Sequence, residues 1–167
     1  MILRPKEYAR GLEAVQTAAS DAGRDPTSIT PAVWQFVITG RSQQEVEETL
    51  SSEAAKAFAL NVPAEMWASH GAQHPLGADF SGGQDLVPQT LDKETVLSYI
   101  KDVPVSMLKE AILTGTPGDV IDQAAEWRDH GLRYLVACNV SILQPSLRKS
   151  MASNAPFFKI LRGLKKL

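Results

Sequence analysis

Residues 112–141, ILTGTPGDVIDQAAEWRDHGLRYLVACNVS, place a short apolar strand before Gly-Thr-Pro, then an amphipathic helix, Gly131 and a second apolar strand. A strand, a crossover helix and a strand in this order build a parallel sheet, because two parallel strands need a long connection between them. Within the unit, Thr116 is a good N-cap, Pro117 fits the first helical position and Asp119 completes a T-x-x-D capping pattern. The turn lacks the glycine spacing of a dinucleotide fingerprint and the Gly-Lys-Ser/Thr of a nucleotide phosphate loop. Cap chemistry alone accounts for its residues.

The other elements are read by period. Tyr8, Leu12, Val15, Ala19 and Ala22 form one apolar stripe of a helix over residues 5–22, with Gly23 as its stop. PAVWQFVITG, residues 31–40, is β-branched and aromatic, the pattern of a strand buried on both faces. Ser42 with Glu45 opens a helix over SQQEVEETLSSEAAKAFAL, and Pro63 starts a further helical turn. Residues 71–90 form a long loop with four glycines and two prolines. Asp92 caps DKETVLSYIKDV, and SMLKEAILTG reads as a short helix feeding a strand around Ala111–Thr114. LRYLVACNVS is the last strand, and residues 142–167 are a C-terminal helical tail.

The 167 residues suffice for one domain, with no internal repeat. Three parallel strands are too few for a closed eight-stranded barrel or a doubly wound sheet, and they leave two raw edges. The expectation is an α/β fold that is part of something larger. No run approaches a membrane span, the N-terminus lacks a signal-length apolar core, and the single Cys138 excludes a disulfide framework. These features point to a cytoplasmic protein.

Charge is uneven. After Asp129 there is no acidic residue, while Arg133, Arg148, Lys149, Lys159, Arg162, Lys165 and Lys166 contribute seven positive charges. Such a tail can meet an anionic cofactor, nucleic acid or a membrane surface, which leaves a peripheral membrane location open. The simpler reading is a solvated helix whose lysines suit its own C-terminal dipole.

Chemistry-bearing groups are sparse. His70 and His74, in HGAQH, have metal-ligand spacing, but Gly71 and Pro75 argue against a continuous helix, and no glutamate stands between the two histidines. His74 facing a pocket from the long loop is the better reading. His130 sits where a helix C-terminus favours a cation, and Cys138 lies among apolar strand residues. No serine, cysteine or carboxylate stands out as an activated nucleophile or acid–base pair.

Four stretches together resemble the C-terminal half of a luciferase-like monooxygenase-superfamily barrel. They are DAGRDPTSITPA, GADFSGGQDLVPQTLDKETVLSYI, TGTPGDVIDQAAEWRDHGLRYLV and the closing PSLRKS with LRGLKKL. Within the superfamily they are most similar to ketoreductases that use the deazaflavin coenzyme F420. The resemblance implies the C-terminal portion of a (β/α)8 TIM barrel. Ile2 and Leu3 would end the fifth strand, and residues 32–39, 111–114 and 132–141 would be strands six to eight. It implies hydride transfer from reduced F420, with FMN the superfamily alternative, to a keto group on a long-chain cell-envelope lipid of phthiodiolone type.

In that family the coenzyme-face and catalytic residues come mainly from the first five strands. No catalytic, coenzyme-binding or metal residue is therefore carried over, and no coenzyme is expected on the isolated chain. The substrate-pocket rim would include Arg4, Thr39, Thr114, Asn139 and Ser141, with His74 and Asp79 from the long loop. Where sugar-phosphate-specific relatives place basic residues this chain has Lys109-Glu110, and the glutamate would oppose an anionic substrate and favour a neutral lipid. The expected partners are an N-terminal half of the barrel, a hydrophobic lipid ketone and, in the alternative non-catalytic reading, a second copy of the chain. No nucleic acid is expected.

Overall fold

The computed structural model describes residues 4–144 and 146–167, so the expected strand end at Ile2 and Leu3 lies outside the described residues. In chain order the elements are α1 (Pro5–Asp21), β1 (Ala32–Thr39), α2 (Gln43–Leu50), α3 (Glu53–Phe58), α4 (Ala64–Ser69) and α5 (Lys93–Tyr99). There follow α6 (Val105–Ala111), β2 (Leu113–Gly115), α7 (Pro117–Asp129), β3 (Tyr134–Asn139), α8 (Leu147–Ala152) and α9 (Asn154–Leu164).

The three strands are parallel, in the order β2-β1-β3. That order corrects the expected one. A barrel sets consecutive strands side by side, so strands six, seven and eight would run β1-β2-β3. Instead β3 lies directly on β1, paired from Ala32↔Tyr134 to Val37↔Asn139. The short β2 meets only the last three residues of β1 on its other edge, from Val37↔Leu113 to Thr39↔Gly115. β2 begins two residues later than expected because Ala111 ends α6. The helix expected across residues 42–60 is broken at Ser51–Ser52. There the Ser52 hydroxyl accepts the Ala55 amide at 3.2 Å and donates to the Leu143 carbonyl at 3.2 Å, starting a second helix.

Strand alternation divides β1 between two cores. Val33 and Val37, with Leu135 and Ala137 of β3, face Val120 and Trp127 of α7, Ile160 of α9 and Tyr8 of α1. Phe36 and Ile38, with Cys138, face the opposite layer, built from Val46, Leu50, Trp67, Met107 and Leu108 of α2, α4 and α6. That second layer covers only the C-terminal end of the sheet. Trp34 stays 63% exposed and Tyr134 59% exposed, beside the exposed Val136 on the same face. The expectation that β1 is buried on both faces therefore fails in its first half.

The Gly-Thr-Pro turn has a steric basis. Gly115 has φ +138°, and a Cβ there would lie 2.5 Å from the Cβ of Asp119. The missing side chain lets Asp119 Oδ2 accept the Thr116 amide at 2.8 Å and its hydroxyl at 2.6 Å. Gln43 Nε2 donates to the same oxygen at 2.7 Å. The start of α7 thus holds its own carboxylate, and the Thr116 hydroxyl keeps that carboxyl below its ordinary range.

Candidate functional site

Two polar groupings contain most of the expected rim residues. The first sits at the C-terminal ends of β1 and β3. The Thr39 amide donates to Ser141 Oγ at 2.8 Å, and the Ser141 amide donates to Asn139 Oδ1 at 3.1 Å. Asn139 Nδ2 then donates to Asn154 Oδ1 at the start of α9. Thr39 and Ser141 are fully buried, and Thr39 Oγ1 has no hydrogen-bond partner among the described residues. By alternation Thr39 and Asn139 share the side of Val37, so both belong to the helix-covered face rather than the open one. Thr114, level with Ile38, is half-buried. Its amide and carbonyl are both taken by the Gln123 side chain of α7, at 3.1 and 2.7 Å.

The second grouping joins three helices. Glu110, on α6, accepts from Arg4 Nε at the start of α1 and sits 2.8 Å from His70 Nε2 after α4. The other His70 nitrogen, Nδ1, lies 2.9 Å from Ser106 Oγ. Burial pushes Glu110 upward, but the hydrogen bonds and charges of Arg4 and His70 outweigh it and hold the carboxyl below its ordinary range. Beside it lies a cleft of about 600 Å³ lined by Arg4, Glu7, Gln35, Glu110, Gln123 and Trp127. The expected repulsion of an anion by Glu110 is thus offset by its own cation, while Lys109 turns to Glu47 at 2.5 Å.

His74 and Asp79 belong to neither grouping. The His74 ring stacks on Phe80 at 4.1 Å and meets the edge of Trp67 at 5.0 Å. Its Nδ1 accepts the Leu76 amide at 3.1 Å, which places the proton on Nε2. Burial lowers its affinity for a second proton, with the Leu60 carbonyl pulling weakly the other way. The ring pins the long loop, and Asp79 is exposed on that loop. His70 and His74 diverge because Gly71, at φ +74°, ends the helix between them. Among the described residues, no three histidines, cysteines or carboxylates gather as a metal site.

Sequence reasoning missed Gln123 and the Ser106–His70–Glu110–Arg4 line. Only the i, i+4 spacing of Ser106 and Glu110 on α6 was open to it. The line joins a hydroxyl, an imidazole, a carboxylate and a guanidinium and ties α1, α4 and α6. It carries no electron-transferring group.

Comparison with known proteins places these features. A family model described as luciferase-like monooxygenase matches residues 1–134. The phthiodiolone/phenolphthiodiolone dimycocerosates ketoreductase of Mycobacterium tuberculosis is 59% identical over all 167 residues, which cover 44% of that protein. Its counterpart in Mycobacterium kansasii is 56% identical, with 46% of its length covered. The chain thus spans less than half the length of the curated relatives it matches. Among solved structures, an F420-dependent secondary alcohol dehydrogenase bound to an F420–acetone adduct aligns with TM-score 0.60 and 14% identity, over 98% of this chain and 41% of that one. The coenzyme F420-dependent tetrahydromethanopterin reductase of Methanopyrus kandleri aligns with TM-score 0.58 and 19% identity, over 89% of this chain and 40% of that one. The fold is α/β and similar to these F420-dependent barrel enzymes, and the chain belongs to the luciferase-like monooxygenase family.

Proposed function

We propose that this chain forms the C-terminal portion of an F420-dependent barrel reductase acting on a long-chain lipid ketone of phthiodiolone type, giving the alcohol. The observation that carries this is the 59% identity along its entire length to a ketoreductase of that substrate class. In the sheet, β1 and β3 are the long neighbouring pair, and β2 meets the end of β1 on its other edge.

The residues here do not fit the coenzyme by themselves. Thr39 and Ser141 are closed off, and the amides at the strand ends are taken by Ser141, Asn139 and Gln123. Arg4 is already shared between Glu110 and Glu7. No hydride step is therefore assigned to this chain's side chains. Its contribution is the wall that the exposed face of Trp34, Tyr134 and Val136 presents to the remaining strands. F420 is favoured over FMN because both structural neighbours above are F420 enzymes.

Fluorescence titration with F420 tests this reading. The chain alone should not bind, and co-expression with the N-terminal portion of the M. tuberculosis ketoreductase should restore binding. Tight stoichiometric binding by the chain alone would overturn it. A second reading, a non-catalytic assembly of half-barrels, is favoured by the same exposed aromatic face, since bare apolar surface and raw sheet edges promote association. Sedimentation velocity would then give a defined oligomer of the isolated chain, and a monodisperse monomer would remove that reading.

A further inference from the structure

The C-terminal helices carry an apolar stripe that their packing does not use. Ser153, between α8 and α9, keeps helical torsions (φ −66°, ψ −17°). The Ser153 amide reaches the Lys149 carbonyl at 3.0 Å, and the Phe157 amide reaches the Ser153 carbonyl at 3.3 Å. Residues 147–164 therefore run as one nearly continuous helix. Its inner side, Ser153, Pro156 and Ile160, is buried, and Ile160 joins Val120 and Trp127 in the core.

The outer side is apolar as well. Leu147 is 76% exposed, Met151 67% and Phe158 55%, with exposed Ala155 between the last two. Steps of four, four and three residues align these four along one stripe. Exposed Arg148, Lys159, Arg162 and Lys165 flank it, and no acidic residue follows Asp129 in the sequence. Packing against α7 explains the first apolar side but leaves the second without a role.

We propose that α8 and α9 form a docking surface for an anionic lipid bilayer. The helix lies in the headgroup plane, with Leu147, Met151 and Phe158 entering the acyl boundary and the cations meeting lipid phosphates. An apolar stripe bordered by lysine and arginine is the pattern of an interfacial helix, and its electrostatic part is screened by salt. A second copy is the poorer occupant, because symmetric pairing would set two cation-rich surfaces against each other. The inference goes beyond the reductase reading, and cover of the stripe by the N-terminal portion of the barrel would appear as loss of vesicle binding when the two are co-expressed, which would overturn it.

The test is co-sedimentation of the full chain with vesicles of equimolar phosphatidylglycerol and phosphatidylcholine. Partitioning should exceed that on phosphatidylcholine alone by about tenfold and fall steeply as salt is raised. Combined Leu147→Ser, Met151→Ser and Phe158→Ser should lower it by about tenfold at unchanged helicity, since the replaced side chains are exposed. Combined Lys159→Glu and Arg162→Glu should weaken binding to the anionic vesicles alone, which covers the case in which the serine variant misfolds. Absence of binding, or equal binding by both variants, overturns the proposal. So does an oligomer that the serine variant dissolves, because a protein then covers the stripe.

Discussion

The two faces of the sheet are finished to different degrees. On one, α1, α7 and α9 bury Val37 and Leu113 and half-bury Leu135, with the Tyr8 and Trp127 rings in edge contact at 5.7 Å. On the other, α2 to α6 bury Ile38 and half-bury Phe36, but the layer stops before Trp34 and Tyr134. The same strands therefore carry a helix layer along one side and an open surface over half of the other. The difference shows that the helix layer belongs to this chain's own folding unit. The bare half of the opposite face matches what the inside of a barrel presents before the remaining strands close it.

Paired truncations of aromatic residues test that contrast most directly. Trp127→Ala, on the closed face, should cost about 3–5 kcal/mol in urea unfolding, the usual loss for a buried aromatic. Trp34→Ala, on the open face, should stay within about 0.5 kcal/mol, and its effect should appear in assembly with the remaining barrel strands. Equal losses for the two would mean that the open face is covered in the isolated chain. Next in size is Gly115→Ala. Its positive φ and the close approach of Asp119 should make it cost about 1–3 kcal/mol by thermal unfolding. A neutral result would remove the steric account of the turn.

Local chemistry was legible in the sequence, and lateral order was not. The stripe from Tyr8 to Ala19 fixes α1, and the Thr116–Asp119 pair and Gly115 fix the start of α7, because caps and periods act over a few residues. The placement of β3 beside β1 depends on which strand edges meet across a crossover of about ninety residues, and hydropathy carries no record of that. The open half of β1 was misread for a related reason. An apolar strand looks alike whether its covering layer lies in the same chain or elsewhere. Of the proposed rim, Thr39, Asn139 and Ser141 do come together, but the period-two rule already put Thr39 on the side of Val37. His70 and Glu110 meet across forty residues, and only the tertiary fold could reveal it.

A smaller effect separates the long loop from the sheet. His74 is buried and harder to protonate than an ordinary imidazole, whose value is 6.5, so the unfolded chain binds a proton that the folded chain resists. Stability should therefore be complete above that value and decline as pH falls below it. His74→Phe keeps the ring between Phe80 and Trp67 and should flatten this decline, as read by urea midpoints across the mildly acidic range. A decline of the same slope in the variant would show that another group is responsible.

The smallest expected change is at Glu110, where α1, α4 and α6 are tied together. Its carboxyl is held below the ordinary 4.5 despite burial, so the stability it contributes is present above that value and lost as pH falls through the folded value. Both it and Arg4 are partly exposed, which limits Glu110→Gln to about 1 kcal/mol at neutral pH. The variant should also lose the part of the acid-range slope that belongs to this carboxyl. Because Glu110 anchors the start of α1 rather than the sheet, amide hydrogen exchange should quicken in the first turn of α1 and leave β1 and β3 unchanged. Faster exchange in β3 would mean that the two faces are coupled through this ion pair, and the closed layer would then not be an independent unit.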